Sequence, residues 1–369
     1  MVRYSAAAHV SEMPHHVIQI TEERDNAMKL KESTREYLFE DERPFNNCHA
    51  STIVALPNGD LLVAYFAGSK EGNADVAIWC SKRVNGQWSK PYLVADEEGL
   101  VHWNPVLFRK DNGQIVLHYK VGTPIPVWYT RVTVSDDEGA TWSSPVDLVP
   151  GDAGGRGPVK NKLIQLQDGT WVAPASLEGE VWDSFADLSY DQGETWTPSA
   201  TIPVHRGPEA AEAKYRLHGK GIIQPTVWES QPGHVHMLMR STGGFIYRSD
   251  SADSGKTWCP AYRTNLPNNN SGIDLARMDD GTLVLAYNPI GMYRGPRMPL
   301  LLSASQDNGE TWEELKALEG EYISYTLPLE YGEYSYPAVI ADGDRIYVTY
   351  TWRRERIVCW SMELEKMMV

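Results

Sequence analysis

Short runs that alternate apolar with polar residues, or that are rich in β-branched ones, recur along the whole chain: STIVAL, DLLVAYF, QIVLHYK, TLVLAYN and RIYVTYTW. Asn-Gly, Asp-Gly or Pro-Gly pairs bound them. A side-chain period of two with such turn pairs predicts β-strands joined as hairpins, not helices. Grouped by their turns, the runs form four-stranded antiparallel units.

A second pattern sets the number of units. SDDEGATW begins at Ser135, SYDQGETW at Ser189, SADSGKTW at Ser251 and SQDNGETW at Ser305. Their tryptophans, Trp142, Trp196, Trp258 and Trp312, are 54, 62 and 54 residues apart, and a degenerate SKRVNGQW ends at Trp88, another 54 upstream. Four-stranded sheets repeated at such a period make a β-propeller. In each box Gly supplies a positive φ, Asp and the hydroxyls supply turn hydrogen bonds, and Trp packs on the hairpin. A calcium loop would need more oxygen ligands than a box holds. Units starting near Ser51, Pro105, Lys162, Pro225 and Gly272, and a last one without a box from SYPAVIADGD, predict an all-β, six-bladed propeller. It is read as a single domain over residues 1–369, with the segment at about 14–45, in particular His16 to Ile20, lending a strand that closes the last blade and hides its open edge. The insertion HRGPEAAEAKYRLHGKG (205–221) is read as a partly helical lid.

Composition narrows the partners. A formal net charge of -15 opposes nucleic acid and anionic membranes, so neither is expected. Cys48, Cys80, Cys259 and Cys359 lie far apart without C-x-x-C spacing, so neither a zinc site nor a dense disulfide framework is signalled, and no metal or cofactor is expected. The N-terminus lacks the apolar core of a secretory signal, so the chain as given reads as cytoplasmic, or as secreted or periplasmic if a leader was removed. No feature fixes an oligomeric state.

The first strand of each blade lines the channel and the second returns, so the start of one and the end of the other share a face. Seven residues after the hairpin glycines Gly59, Gly113, Gly169, Gly233, Gly281 and Gly343 stand Phe66, Lys120, Ser176, Arg240, Asn288 and Tyr350. Nine to ten or so before them stand His49, Asn104, Lys160, Gln224, Ser271 and Tyr334. Polar groups at equivalent points of a ring describe a funnel floor. Lys120, Lys160, Lys162, Arg240 and Arg297 make it cationic in an acidic protein, which suits a carboxylate or sulfate. Arg353, in the last hairpin, joins them as a binding candidate.

The repeated boxes and the spacing resemble the sialidase superfamily over nearly the whole chain. The resemblance implies a carboxylate clamp of three arginines, a Tyr–Glu nucleophile and an Asp acid/base. MLMRS is similar to the strand bearing the second arginine (Arg240), RMPLLLSASQDNGETW to the stretch with the third (Arg297), and EYSYP to the segment with the tyrosine (Tyr334). Two departures stand out: Cys48-His49-Ala50 replaces the Arg-Ile-Pro that opens blade 1, and Gln224 replaces the glutamate. HASTIVALPNGDLLVAYFAG, HWNPVLF, HYKVG, PVKNK, NSGIDL and EYSYPAVI look closer to sialidase-like propellers that cleave L-rhamnose from D-glucuronate, as hydrolases or lyases relying on histidine.

That resemblance puts weight on His49, His102 and His118 as acid and base groups, with Tyr334 as the sialidase alternative. Lys120, Lys160, Lys162, Arg240, Arg297 and Arg353 would bind an acidic oligosaccharide, and Asn104, Gln224 and Asn288 would orient its hydroxyls. Two further readings stay open: a carboxylate pair drawn from Glu71, Asp75, Glu178, Glu229 and Asp274, and a propeller that binds glycans without cleaving them.

Overall fold

In the computed structural model of this chain the described residues are 28–207, 212–320 and 332–366. They form six antiparallel sheets arranged as a β-propeller, with no helix longer than a 3-10 turn among them. From the channel outward, blade 1 runs Asn47–Ala55, Leu61–Gly68, Ala77–Val84, then Gln87–Trp88 and Tyr92–Ala95. Blade 2 begins at His102–Arg109, blade 3 at Ile164–Gln165, blade 4 at Ile222–Gln231, blade 5 at Asp274–Arg277 and blade 6 at Tyr334–Asp342. The outer strand of blade 6 is Met28–Tyr37, antiparallel to Arg356–Lys366, so the first and last described strands meet in one sheet. His16 to Ile20, read as that strand from the sequence, lie outside the described residues. Among the described residues of the 205–221 insertion is one 3-10 turn, Ala213–Tyr215, beside a bridge between His205 and Arg216.

The apolar faces have one destination each: the wedge between adjacent blades. Six buried clusters correspond to six wedges. Leu62, Ile78, Leu107 and Leu117 fill the one between blades 1 and 2. Phe108 and Trp171 fill the next, Val172, Leu188, Val227 and Met237 the third, and Leu238, Ile246, Leu275 and Leu285 the fourth. Val284, Leu302, Val348 and Val358 join blades 5 and 6. Ile53, Val63, Tyr347 and Ile357 close the ring onto blade 1. Each wedge removes both blade faces from water, so the ring is stabilised by burial that no single blade achieves alone.

The four boxes join the third and fourth strands of blades 2 to 5. In the box at 189–196, Asp191 accepts from Ser189 Oγ (2.9 Å), Thr195 N (2.9 Å) and Thr195 Oγ1 (2.5 Å), and Gly193 N donates to Ser189 Oγ at 2.7 Å. The same set recurs at Asp137, Asp253 and Asp307. These boxes lock turns. Gly139 has φ 86° and lies so close to blade 1 that a Cβ would sit 2.8 Å from Leu62 Cδ2.

Candidate functional site

Near the start of every inner strand one non-glycine residue has a left-handed backbone: Ala50, Asn104, Lys160, Gln224, Asn270 and Tyr336, with φ of 53°, 38°, 66°, 49°, 63° and 54°. In blades 1, 2, 4 and 6 the strand register shifts at this point, the mark of a β-bulge. Such residues cost roughly 1–3 kcal/mol each, and strain of this kind clusters at functional sites. Six of them ring one mouth of the channel. In blades 5 and 6 the ring position belongs to Asn270 and Tyr336, not to Ser271 and Tyr334, and in blade 1 His49 precedes it.

Tyr336 is the centre of this mouth. Arg240 Nη1 donates to its hydroxyl at 2.8 Å, and Arg240 Cζ, Arg297 Cζ and Lys160 Nζ lie 5.5, 5.4 and 5.9 Å from its ring centroid. The ring of His49 is 4.1 Å away, centroid to centroid. His49 Nδ1 is 2.8 Å from Thr351 Oγ1, whereas Nε2 is buried with no partner. Burial first, then the charges of Arg354, Arg297, Lys160 and Arg240, hold the His49 imidazole well below its ordinary range, so it is neutral at pH 7. Tyr336 is only half-buried, whereas His49 is 1% exposed, so the phenol faces the opening and the imidazole lies behind it.

Acidic groups complete the mouth. Glu333 accepts from Arg297 Nη1 (2.7 Å) and Arg354 Nε (2.6 Å), and Arg354 Nη1 donates to Glu71 at 2.5 Å. On the other side Arg240 Nη1 donates to Gln224 Oε1 at 2.9 Å, and Gln224 Nε2 to Glu178 Oε1 at 3.1 Å. Desolvation raises the Glu178 carboxyl above its usual range, against the pull of Arg240. A chain of contacts therefore runs Glu178, Gln224, Arg240, Tyr336, His49, with a desolvated carboxyl at one end and a neutral imidazole at the other.

Several candidates fall elsewhere. Tyr334 is buried in the wedge between blades 5 and 6, because the bulge between Ser335 and Ala338 gives the mouth position to Tyr336, and only its backbone carbonyl meets Asn288. Asn288 is likewise a tie, donating to the carbonyls of Pro299 and Tyr334. His102 is held by Val76 O and the Glu97 amide and stacks on Tyr119. His118 packs near Trp196 in the next wedge, where burial lowers it to about 3. Neither meets the His49 cluster. Lys120 is fully buried, donates to Arg156 O at 2.7 Å, and is lowered by burial to about 8. Lys160 spans the channel to Asn161 and to the carbonyls of Ile273 and Pro337, and burial lowers it to about 7. Its ammonium is committed to the scaffold even though its charge reaches the site. Lys162 pairs with Asp274 at 2.9 Å, further along the channel, where a cavity of about 520 Å³ opens at the opposite end. Arg353 is exposed and stacks at 4.8 Å on Trp352, and the arginine that enters the cluster is its neighbour Arg354. Asn104, Gln224, Arg240 and Arg297 do stand at the mouth.

Tyr336, Arg354 and Glu333 are the residues that sequence reasoning missed. A signal for Tyr336 was present: Asn104-Pro105, Gln224-Pro225 and Tyr336-Pro337 share one pattern, the ring residue preceding proline. Arg354 had none, since it arrives from a hairpin with two consecutive left-handed residues, Arg353 and Arg354.

The chain belongs to the BNR repeat-like domain family, which matches residues 59–348. No curated protein matches it. Among solved structures it is similar to a Dyadobacter fermentans protein of unknown function, at 16% identity and TM-score 0.68, covering 92% of this chain and 100% of that one. It is also similar to Trypanosoma rangeli sialidase in complex with the inhibitor DANA, at 15% identity and TM-score 0.67, covering 89% of this chain and 59% of that one. Streptococcus pneumoniae NanB sialidase matches at 14% identity and TM-score 0.63, over 89% and 70% of the two chains. The chain thus spans about 59% of the trypanosomal enzyme's length. At these identities the shared property is the sialidase-like propeller fold.

Proposed function

We propose that this propeller is a glycosidase-type enzyme that cleaves a terminal sugar from an acidic glycan at the Tyr336 mouth, with a rhamnosyl-glucuronate linkage as its substrate. The observation that carries the reading is the unpartnered Nε2 of neutral His49 behind a tyrosine flanked by Arg240, Arg297 and Lys160. A uronate carboxylate would lie against Arg240, Arg297 and Arg354, and neutralising it makes C5–H more acidic. In an eliminating enzyme a base takes that proton, the C4–O bond breaks as C4=C5 forms, and an acid protonates the departing oxygen. In this reading Tyr336 faces the sugar, the His49 ring 4.1 Å behind it takes the proton, and Glu178, whose carboxyl desolvation raises, is the group assigned to protonate the leaving oxygen. In a hydrolysing enzyme the same pair activates water and Glu178 again protonates the leaving group.

Sialidase chemistry is supported less well by the residues present. Gln224 at the glutamate position cannot act as a base for a tyrosine nucleophile. The test is to incubate the protein with rhamnosyl-glucuronate oligosaccharides and, separately, with a sialoside. Rhamnose release with absorbance in the unsaturated-uronate band indicates elimination, and release without it indicates hydrolysis. Cleavage of the sialoside alone overturns the proposal.

A further inference from the structure

The wedge between blades 4 and 5 holds another arrangement, at the end of the propeller opposite the Tyr336 mouth. Trp228, His236 and Asp250 are directly opposite one another on the first three strands of blade 4, so their side chains share one face. Ser230 follows on the same strand as Trp228, at a bulge between Glu229 and Gln231 that brings its hydroxyl back over the row. Ser230 Oγ is 2.7 Å from His236 Nε2, and His236 Nδ1 is 2.5 Å from Asp250 Oδ1.

The surrounding groups fix each role. Asp250 also accepts from Arg248 Nε at 2.9 Å and Tyr262 Oη at 2.7 Å. Burial acts to raise its carboxyl, but His236, Arg248 and Tyr262 outweigh it and hold the group at about 2, so it is ionised at neutral pH. Asp250 at 2.5 Å from Nδ1 outweighs Arg248 Nη2, which also lies 3.2 Å from that nitrogen, so the imidazole proton is drawn to Nδ1 and the lone pair of Nε2 faces Ser230. Trp228 stacks on the imidazole at 5.0 Å and 25°, and its indole N–H donates to Asn308 Oδ1 at 2.8 Å. That bond orients the Asn308 amide so that Nδ2 lies 3.4 Å from His236 Nε2, the same ring nitrogen that Ser230 approaches. Arg248 Nη1 donates to Asn308 O at 2.8 Å and to Glu310 at 3.2 Å, which pins the loop. Nucleophile, base and orienting carboxylate are present, and the Asn308 amide, which approaches the same ring nitrogen as Ser230, is the nearby donor assigned to the oxyanion.

We propose that Ser230, His236 and Asp250 form a second active site that hydrolyses short-chain carboxylic esters, separate from the Tyr336 mouth and independent of its function. Ser230 Oγ adds to the ester carbonyl while its proton passes to His236 Nε2. The C–O bond to the alcohol then breaks, and His236 returns the proton to the leaving oxygen. Water, deprotonated by His236, attacks the acyl-serine, releases the carboxylic acid and restores the hydroxyl. Trp228 and Asn308 wall the imidazole closely and Ser230 is half-buried, so a small acyl group meets the least obstruction at its hydroxyl.

The full chain treated with a fluorophosphonate and digested for mass spectrometry should carry the adduct on Ser230. Hydrolysis of p-nitrophenyl acetate should fall by about 10³-fold or more in Ser230→Ala and in His236→Ala, the loss expected for members of such a triad. Ser230 is partly exposed at a hairpin, so Ser230→Ala keeps the fold and circular dichroism checks this. A folded protein with no adduct on Ser230, or a Ser230→Ala rate equal to that of the parent, overturns the proposal.

Discussion

The imidazole of His49 lies against the phenol ring of Tyr336, with centroids 4.1 Å apart and planes inclined at 46°. The two residues come from opposite ends of the sequence, and closure of the ring between blades 6 and 1 is what brings them together. Thr351 of blade 6 fixes Nδ1, so the free nitrogen of His49 is directed by a residue about three hundred positions away. Any chemistry at this mouth depends on the propeller being closed.

The arginines make separable predictions. Arg297 is partly exposed and bonded to Glu333 and Ser335, so Arg297→Ala should weaken binding of a glucuronate ligand by about 2 kcal/mol with little change in melting temperature. Arg240 is buried and holds Gln224, Asn270 and Tyr336 together. Arg240→Ala should therefore cost about 2–5 kcal/mol of binding and lower Tm as well. Isothermal titration with glucuronate, read beside thermal melts, checks both.

Asp274 accepts from Lys162 of blade 3, Thr226 of blade 4 and the Val339 amide of blade 6, while belonging to blade 5. One carboxylate thus ties four blades across the channel. Removing one member of a buried ion pair typically costs about 3–5 kcal/mol, and Asp274→Ala should lose at least about 3 kcal/mol in urea unfolding. An unchanged unfolding midpoint would mean that the tie is energetically idle.

Buried histidines set the acid limit of stability. His49, His102 and His118 all have folded-state pKa values below 6.5, with burial the leading cause and His118 at about 3. Below pH 6.5 the unfolded chain takes up protons that the folded one refuses, so stability falls as pH drops, and for His118 the loss continues to about pH 3. Above pH 6.5 these groups contribute no slope. His118→Gln should flatten the dependence of the unfolding free energy on pH between about 6 and 4, by up to about 1.4 kcal/mol per pH unit, as read by urea unfolding. An identical slope in parent and variant would remove this assignment.

The fold was legible because its signals are local and repeated: turn pairs, alternation and four boxes whose hydrogen bonds close within seven residues. The site was legible only in part. Arg240, Gln224 and His49 stand at strand positions that counting from a hairpin glycine can reach, whereas Arg297, in the loop before Leu300–Ser305, is reached only through the family resemblance. Tyr334 and Tyr336 share a strand, and the bulge between Ser335 and Ala338 decides which of them faces the mouth. Alternation alone gives no such information. Lys120, Lys160 and Lys162 were read by charge, yet each ammonium ends on a carbonyl or carboxylate of another blade or loop, contacts that sequence spacing does not encode.

The most direct measurement is the turnover of a rhamnosyl-glucuronate oligosaccharide by the parent, His49→Ala, Tyr336→Phe and Tyr334→Phe proteins, with folding checked by thermal melts. If the Tyr336 mouth performs the cleavage, the first two variants should each lose about 10²–10⁴-fold in kcat, the usual contribution of an acid or base group, while Tyr334→Phe stays within about threefold. Loss of activity in Tyr334→Phe, with His49→Ala and Tyr336→Phe both within about threefold of the parent, would contradict the account.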